Sequence, residues 1–259
     1  MSAVVYRKDG RIAWITINRP EAMNAYNTDV LVGLEEAFLD FQDDEALLVA
    51  IFTGAGERAF CAGHDLKQMV AKGDAKKSYA RPDGRPIKTL THGLHLDKPI
   101  IAAVNGYCLA GGFDMALACD IRLCSPNATF GFPMVKRGLT GGGGLYFLPQ
   151  QMPMGWAMEM ALTGDPIDAD TALRIGLVNR IVPLAELQAE AEKLAHRICD
   201  NAPLAVRGSK ETIVRVLNEP FEQGLRITQM IFDNVARSED AREGPLAWTE
   251  RRKPQWKGR

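Results

Sequence analysis

The chain has 259 residues, a hydrophobic fraction of 46% and a formal net charge of −1. This balance is typical of a soluble protein with one large domain, or with a domain and an appendage. It argues against nucleic acid as the main partner, because such a partner requires a basic excess or stripe. No apolar stretch approaches the roughly 20 residues of a membrane span, and the N-terminus shows no signal-peptide pattern.

The first half of the chain alternates short apolar strands with helices. Residues 3–7 and 11–18 alternate in polarity around Asp9-Gly10, which predicts a β-hairpin. Asn27 or Thr28 then caps a helix whose apolar positions follow helical spacing. Similar patterns predict strands over 47–53, 99–105 and 120–124, and helices over 65–72, 87–96 and 111–118.

Two polar or glycine-rich stretches interrupt these elements. Residues 73–86 predict a mobile surface loop, and residues 131–144 predict a second loop. Beyond this point the pattern turns helical, with one strand expected over 177–181. The predicted helices cover 145–152, 155–162, 168–175, 184–199, 204–217, 221–236 and 239–249. Strands followed by helices predict a layered α/β core with a helical C-terminal part.

Two short segments carry most of the chemical information: 59–66 (AFCAGHDL) and 105–114 (NGYCLAGGFD). Each joins an apolar, strand-like run to a helix through small residues, which allow a ligand to approach the backbone closely. Two backbone N–H groups that converge on one point form an oxyanion hole, the usual device for stabilising charge on a thioester oxygen.

Individual residues in these segments have both functional and structural interpretations. Gly111 offers an N–H at a helix start, or serves only a tight turn. His64 offers a second N–H and a possible general acid, or its imidazole points away. Asp114, in the first helical turn, is a candidate acid or base, or only interacts with the helix dipole. Asp65 is interpreted as a helix cap.

Other motifs point away from metal and dinucleotide chemistry. The five cysteines (Cys61, Cys108, Cys119, Cys124 and Cys199) form no CxxC pair, so buried free thiols in a reducing cytoplasm are expected. His92 and His95 lack further ligands, so no metal site is predicted. The glycine run 141–144 lacks a GxGxxG context, and we expect a flexible or tightly packed loop that borders a ligand pocket.

Taken together, these motifs resemble the enoyl-CoA hydratase/isomerase, or crotonase, family. The resemblance extends over nearly the whole length and includes, besides the two segments, residues 18–25, 98–106, 172–178, 238–244 and 251–256. It implies a spiral of ββα units with a C-terminal helical trimerisation region. It also implies an acyl-CoA thioester substrate, whose oxygen would accept hydrogen bonds from the N–H groups of His64 and Gly111.

The resemblance implies further substrate contacts around Ala62, His64, Asp65 and Leu66, with Arg19 and Lys253 as weaker phosphate candidates. Hydratases of the family use two carboxylates. Asp114 occupies the first position, where glutamate is usual, and Met134 occupies the second. A thioether transfers no protons, which argues against efficient hydration by the standard route. Glu159 and Asp165 are alternative candidates for the second acid that Met134 replaces.

These features predict an acyl-CoA enzyme that works through a thioester enolate, a hydratase- or isomerase-type lyase with Asp114 as its acid/base. The alternatives are a decarboxylase of the same family and a CoA-ester-binding protein with little catalysis. We expect a core over 1–200, a helical oligomerisation region over 201–259, and a homotrimer or hexamer. No cofactor is expected beyond the CoA of the substrate, and the expected location is the cytoplasm, without membrane or nucleic-acid partners.

Overall fold

The computed structural model describes residues 2–73, 79–81 and 83–259. The strands in this part of the chain are β1 (Val4–Asp9), β2 (Ile12–Ile17), β3 (Val49–Gly54), β4 (Ala59–Cys61), β5 (Ile100–Val104), β6 (Tyr107–Leu109), β7 (Ile121–Cys124), β8 (Thr129–Gly131), β9 (Ile167–Asp168) and β10 (Arg180–Ile181). The α-helices are α1 (Thr28–Asp43), α2 (Leu66–Lys72), α3 (Gly111–Leu117), α4 (Gly144–Gln151), α5 (Met154–Thr163), α6 (Ala169–Arg174), α7 (Leu187–Cys199), α8 (Pro203–Val216), α9 (Phe221–Ala236) and α10 (Asp240–Thr249).

The strands form two sheets. The larger has the order β1-β2-β3-β5-β7-β10, and only its β1–β2 hairpin is antiparallel. The smaller has the order β4-β6-β8-β9, with β4, β6 and β8 parallel and β9 antiparallel. The successive pairs β3/β4, β5/β6 and β7/β8 each place one strand in either sheet. This repetition generates the spiral of ββα units that the family resemblance implied.

The larger sheet is buried on both faces, which explains why its central strands are continuously apolar. In β3, Ala50 and Phe52 face the main core, which α1 covers, whereas Val49 and Ile51 face a second cluster. The alternation follows from the two-residue period of a strand. Helix α7 supplies the other side of the second cluster through Leu187, Ala191, Ala195 and Cys199.

The helices of the C-terminal half lie close to their predicted positions, and the cap of α1 is confirmed as Asn27, whose side chain accepts the N–H of Val30. Helices α8 and α9 pack closely where Gly208 meets Ile231 and Val235. Among the helices described, none is long and apolar enough to cross a membrane. All five cysteines are free and buried, as predicted.

Two sequence predictions are wrong in detail. Residues 87–96 form turns and isolated bridges rather than a helix, because Gly93 adopts a left-handed φ of +84° and Thr89 pairs with His92. His92 and His95 are therefore exposed loop side chains. The strand expected over 177–181 shortens to β10, since Leu177 and Val178 bond to the end of α6 through the carbonyl of Ala172.

The described residues of the two predicted loops include local backbone structure. Residues 74–78 and 82, within the predicted mobile loop 73–86, lie outside the described residues. The part that is described contains a bridge between Ala80 and Pro86. The loop expected over 131–144 contains a 3-10 helix over Pro133–Arg137, which ends at Gly138 in the left-handed conformation.

Candidate active site

The two motif segments meet because β4 and β6 are parallel neighbours. Cys61 lies opposite Cys108, so both strands end at the same edge of the small sheet. The loops that follow are in close contact. A Cβ added to Gly63 would lie 2.8 Å from the Cβ of Ala110 and 3.5 Å from the nitrogen of Gly111. Only glycine permits this approach, and its φ of +99° is also unfavourable for other residues.

A single parallel bridge to Tyr26 orients the backbone of His64. The N–H of Tyr26 donates to the carbonyl of Gly63 at 2.8 Å, and the N–H of Asp65 donates to the carbonyl of Tyr26 at 2.8 Å. In a parallel bridge these flanking groups make the bonds. The N–H of His64 therefore points away from Tyr26.

Gly111 is the first residue of α3, so its N–H belongs to the first-turn donors that have no acceptor within the helix. The preceding Ala110 adopts φ +51° and ψ −126°, a strained conformation for a residue with a side chain. Its N–H donates to the carbonyl of Gly131 at 2.9 Å, which ties the turn to β8. Strain of this kind costs about 1–3 kcal/mol and is typical of functional turns.

Asp114 lies in the first turn of α3, and its Oδ1 atom is buried without a hydrogen-bond partner among the described residues. The start of α4 packs directly on the carboxyl group. A Cβ added to Gly144 would lie 1.9 Å from Oδ1 and 2.8 Å from the ring of Phe132. Burial raises the pKa of Asp114 to about 6, and the nearby N–H of Gly144 offsets only part of this rise. A carboxyl group with a pKa near neutrality is suited to proton transfer.

The glycine run 141–144 is the tightly packed loop that the sequence allowed. A Cβ added to Gly143 would lie 2.8 Å from Thr91, and one added to Gly141 would lie 3.2 Å from Cε of Met134. The run thus lies between the carboxyl of Asp114 and the thioether of Met134. Met134 is half-buried and packs against the main core.

Apart from Lys253, which is exposed beyond the end of α10, the remaining predicted contact residues lie around the start of α2. Asp65 caps this helix by accepting the N–H groups of Lys67 and Gln68, which confirms its predicted capping role. It also accepts a hydrogen bond from the guanidinium of Arg19 at 3.1 Å. The N–H of Ala62 donates to the carbonyl of Met23 at 3.1 Å, and Leu66 is 42% exposed.

The two substitute acids are surface residues. Glu159 is exposed on α5, and Asp165 is exposed and paired with Lys136. Neither shares the buried environment of Asp114. Within the described ranges, no group of three or more His, Cys, Asp or Glu side chains is placed to hold a metal ion.

Sequence reasoning missed two tyrosines that lie beside His64 and Gly111. The Tyr26 ring stacks on the His64 imidazole, with centroids 5.1 Å apart and planes 10° apart, and a Cβ on Gly111 would lie 2.3 Å from its hydroxyl. The Tyr79 hydroxyl lies 2.7 Å from that of Tyr26. Two signals were available: Tyr26 directly follows residues 18–25, and Tyr79 is the only aromatic residue in the polar stretch 73–86.

The geometry combines two backbone donors on touching loops with one buried carboxyl group, an arrangement that suits an enzyme of thioester enolates. A sequence model of the enoyl-CoA hydratase/isomerase family matches residues 7–259. A carnitinyl-CoA dehydratase of Escherichia coli K12 is 44% identical over 257 residues, which are 97% of each chain. The chain belongs to the enoyl-CoA hydratase/isomerase family.

Solved structures agree over the full length. An enoyl-CoA hydratase from Mycobacterium tuberculosis H37Rv is 41% identical, with a TM-score of 0.92 and complete coverage of both chains. An enoyl-CoA hydratase from Mycobacterium marinum is 39% identical, with a TM-score of 0.91 and complete coverage of both. The chain is thus an acyl-CoA enzyme of the hydratase and lyase type.

Proposed function

We propose that this chain reversibly adds water across the double bond of a 2-enoyl-CoA thioester, with Asp114 as the single acid/base group. The observation that carries the proposal is the buried Asp114 carboxyl, with a pKa of about 6, on the same helix turn as the Gly111 N–H. Names of similar proteins, both hydratase and dehydratase, give it further support.

The two N–H groups of His64 and Gly111 would hold the thioester oxygen. Asp114 takes a proton from water while the water oxygen bonds to the β-carbon. The electrons of the double bond move through the α-carbon onto the thioester oxygen, where the two donors stabilise the enolate. The protonated Asp114 then returns its proton to the α-carbon. This order uses one carboxyl group twice, which accommodates methionine at position 134.

The reaction moves only water and protons, so we propose that it takes no cofactor apart from the CoA of the substrate. Met134 lies half-buried beside the glycine run and presents a thioether where the family's hydratases carry a second carboxylate. We therefore propose an apolar acyl chain. Crotonyl-CoA, which is short and uncharged, is the first probe, and carnitinyl-CoA tests the specificity that the name of the Escherichia coli relative suggests.

The test measures crotonyl-CoA hydration by loss of enoyl absorbance, with wild type, Asp114→Asn and the surface control Asp29→Asn. Hydration by wild type and the control, with strong loss in Asp114→Asn, is the expected result. A wild type that hydrates neither crotonyl-CoA nor longer enoyl-CoA esters contradicts the proposal. If it instead decarboxylates a malonyl-type CoA ester, the decarboxylase alternative replaces it.

We also propose a homotrimer, alone or paired into a hexamer, built by the helical region 201–259. Its support is a set of exposed apolar side chains on α8, α9 and α10, namely Ile213, Val214, Phe221, Phe232 and Trp248. Side chains of this size are seldom left in water together. Sedimentation should give three or six times the mass of the chain, and a monomer would contradict the proposal.

Five free thiols fit a reducing compartment, so we propose the cytoplasm as the location of this protein.

A further inference from the structure

Two tyrosines that the proposed reaction does not use lie beside the residues that supply its backbone donors. Tyr26 is 4% exposed and fits between the His64 imidazole and the backbone of Gly111. Tyr79 is 39% exposed, and its ring centroid lies 5.9 Å from that of His64. Tyr26 is thus enclosed by protein, whereas Tyr79 borders open space where a ligand can approach.

The hydroxyl groups share one hydrogen bond of 2.7 Å, which leaves one O–H for a third group. Burial is the main cause that raises the pKa of both tyrosines, and the charge of Asp114 raises both further. Their mutual hydrogen bond raises the pKa of Tyr26 but lowers that of Tyr79. Tyr26 is enclosed by protein, so we infer that its O–H donates to Tyr79, which leaves the O–H of the more exposed Tyr79 for a ligand.

The position of Tyr79 is fixed from outside the site. Its carbonyl accepts the N–H of Ile87 at 2.8 Å, and Ile87 is buried in the main core. Two residues later, Arg81 forms an ion pair of 2.7 Å with the buried carboxylate of Glu35 on α1. Glu35 also accepts the N–H of Lys88 at 3.0 Å. These contacts attach the segment to the helix that follows Tyr26.

We propose that Tyr79 donates a third hydrogen bond to the thioester oxygen as the enolate forms, with Tyr26 as the residue that positions and polarises it. The inference rests on the proposed function, because it needs an enolate held between His64 and Gly111. A neutral hydroxyl gains more from a negatively charged oxygen than from a carbonyl, so the contact favours the enolate over the bound substrate. Linked hydroxyls strengthen each other's donation in a site of low dielectric constant.

The kinetic test compares Tyr79→Phe, Tyr26→Phe and the control Tyr107→Phe, whose hydroxyl lies on an exposed residue of β6. For crotonyl-CoA, Tyr79→Phe should lower kcat about 10²-fold with little change in KM, the usual effect of losing one oxyanion donor. Tyr26→Phe keeps that donor but loses its partner, so a loss of about tenfold or less is expected. Tyr107→Phe should match wild type. A change in KM alone in Tyr79→Phe would indicate a packing or covering role and overturn the proposal.

A second measurement separates this proposal from the proposed function. Acetoacetyl-CoA carries an acidic α-carbon, and its enolate has its own ultraviolet absorption. Wild type should increase the enolate fraction on binding, and Tyr79→Phe should reduce that increase while both proteins bind butyryl-CoA equally in calorimetry. An unchanged enolate fraction in Tyr79→Phe refutes the role of the tyrosine alone. A wild type that produces no enolate refutes the proposed function, and the tyrosine role with it.

Discussion

Replacing Asp114 by asparagine should lower activity and raise stability at the same time. Asparagine has nearly the same shape but transfers no proton, and general acid–base catalysis contributes about 10²–10⁴-fold. We therefore expect kcat for crotonyl-CoA to fall about 10³-fold with little change in KM. An unchanged kcat would refute the role of Asp114 as the acid/base group.

The gain in stability follows from the buried charge. Burial raises the pKa of this carboxyl from 3.8 to about 6, so the folded state disfavours its ionised form. At pH 7.5 the ionised group lowers the free energy of unfolding by about 3 kcal/mol. The penalty is present above the folded pKa and disappears as the pH falls below the unfolded value, leaving less than about 1 kcal/mol at pH 4.

Urea denaturation of wild type and Asp114→Asn at pH 7.5 and pH 4 measures this difference. Asp29→Asn is the matched control, because Asp29 is exposed and also lies in a first helical turn. The Asp114 variant should be the more stable protein at pH 7.5, with a smaller advantage at pH 4. A variant that is less stable at pH 7.5 would show that the protein stabilises the ionised carboxylate, contrary to the reasoning.

Four further predictions concern the same site. Crotonyl-CoA hydration should decrease as the pH falls through about 6, because the base must be ionised, and a pH–rate profile checks this. Gly144→Ala, which places a Cβ on the carboxyl of Asp114, should cost at least tenfold in kcat, whereas the unobstructed Gly155→Ala should not. Met134→Glu should raise the pKa of Asp114 through like-charge repulsion, so the loss of activity on acidification should begin at a higher pH. Asp65→Ala should cost about 1 kcal/mol in urea denaturation by removing a helix cap.

Sequence reasoning predicted the features of the fold that depend on local patterns. Alternating and continuous apolar runs predicted the hairpin and the central strands, and helical spacing predicted the C-terminal helices. It also identified the segments around His64 and Gly111 from the small residues that follow two strand-like runs, and the family resemblance implied that their N–H groups meet at one oxygen. The prediction of a helix over 87–96 was wrong because Gly93, in the left-handed conformation, interrupts an apolar spacing that otherwise suits a helix.

The rest of the site depends on contacts between distant segments. Nothing local indicates that the glycine run packs on Asp114, because this contact joins α3 to the start of α4. The tyrosine pair is similar, since 53 positions separate Tyr26 from Tyr79. An ion pair from Arg81 to Glu35 helps to fix that geometry, and the composition of a polar loop does not reveal it.

The central claim is that the N–H groups of His64 and Gly111 hold a thioester oxygen. Isotope-edited infrared spectroscopy of crotonyl-CoA labelled at its carbonyl carbon, bound to the slow Asp114→Asn variant, tests it most directly. Hydrogen bonds to the oxygen weaken the carbonyl bond, so the stretching frequency should fall below its value in water. A frequency equal to or above that in water would contradict the claim.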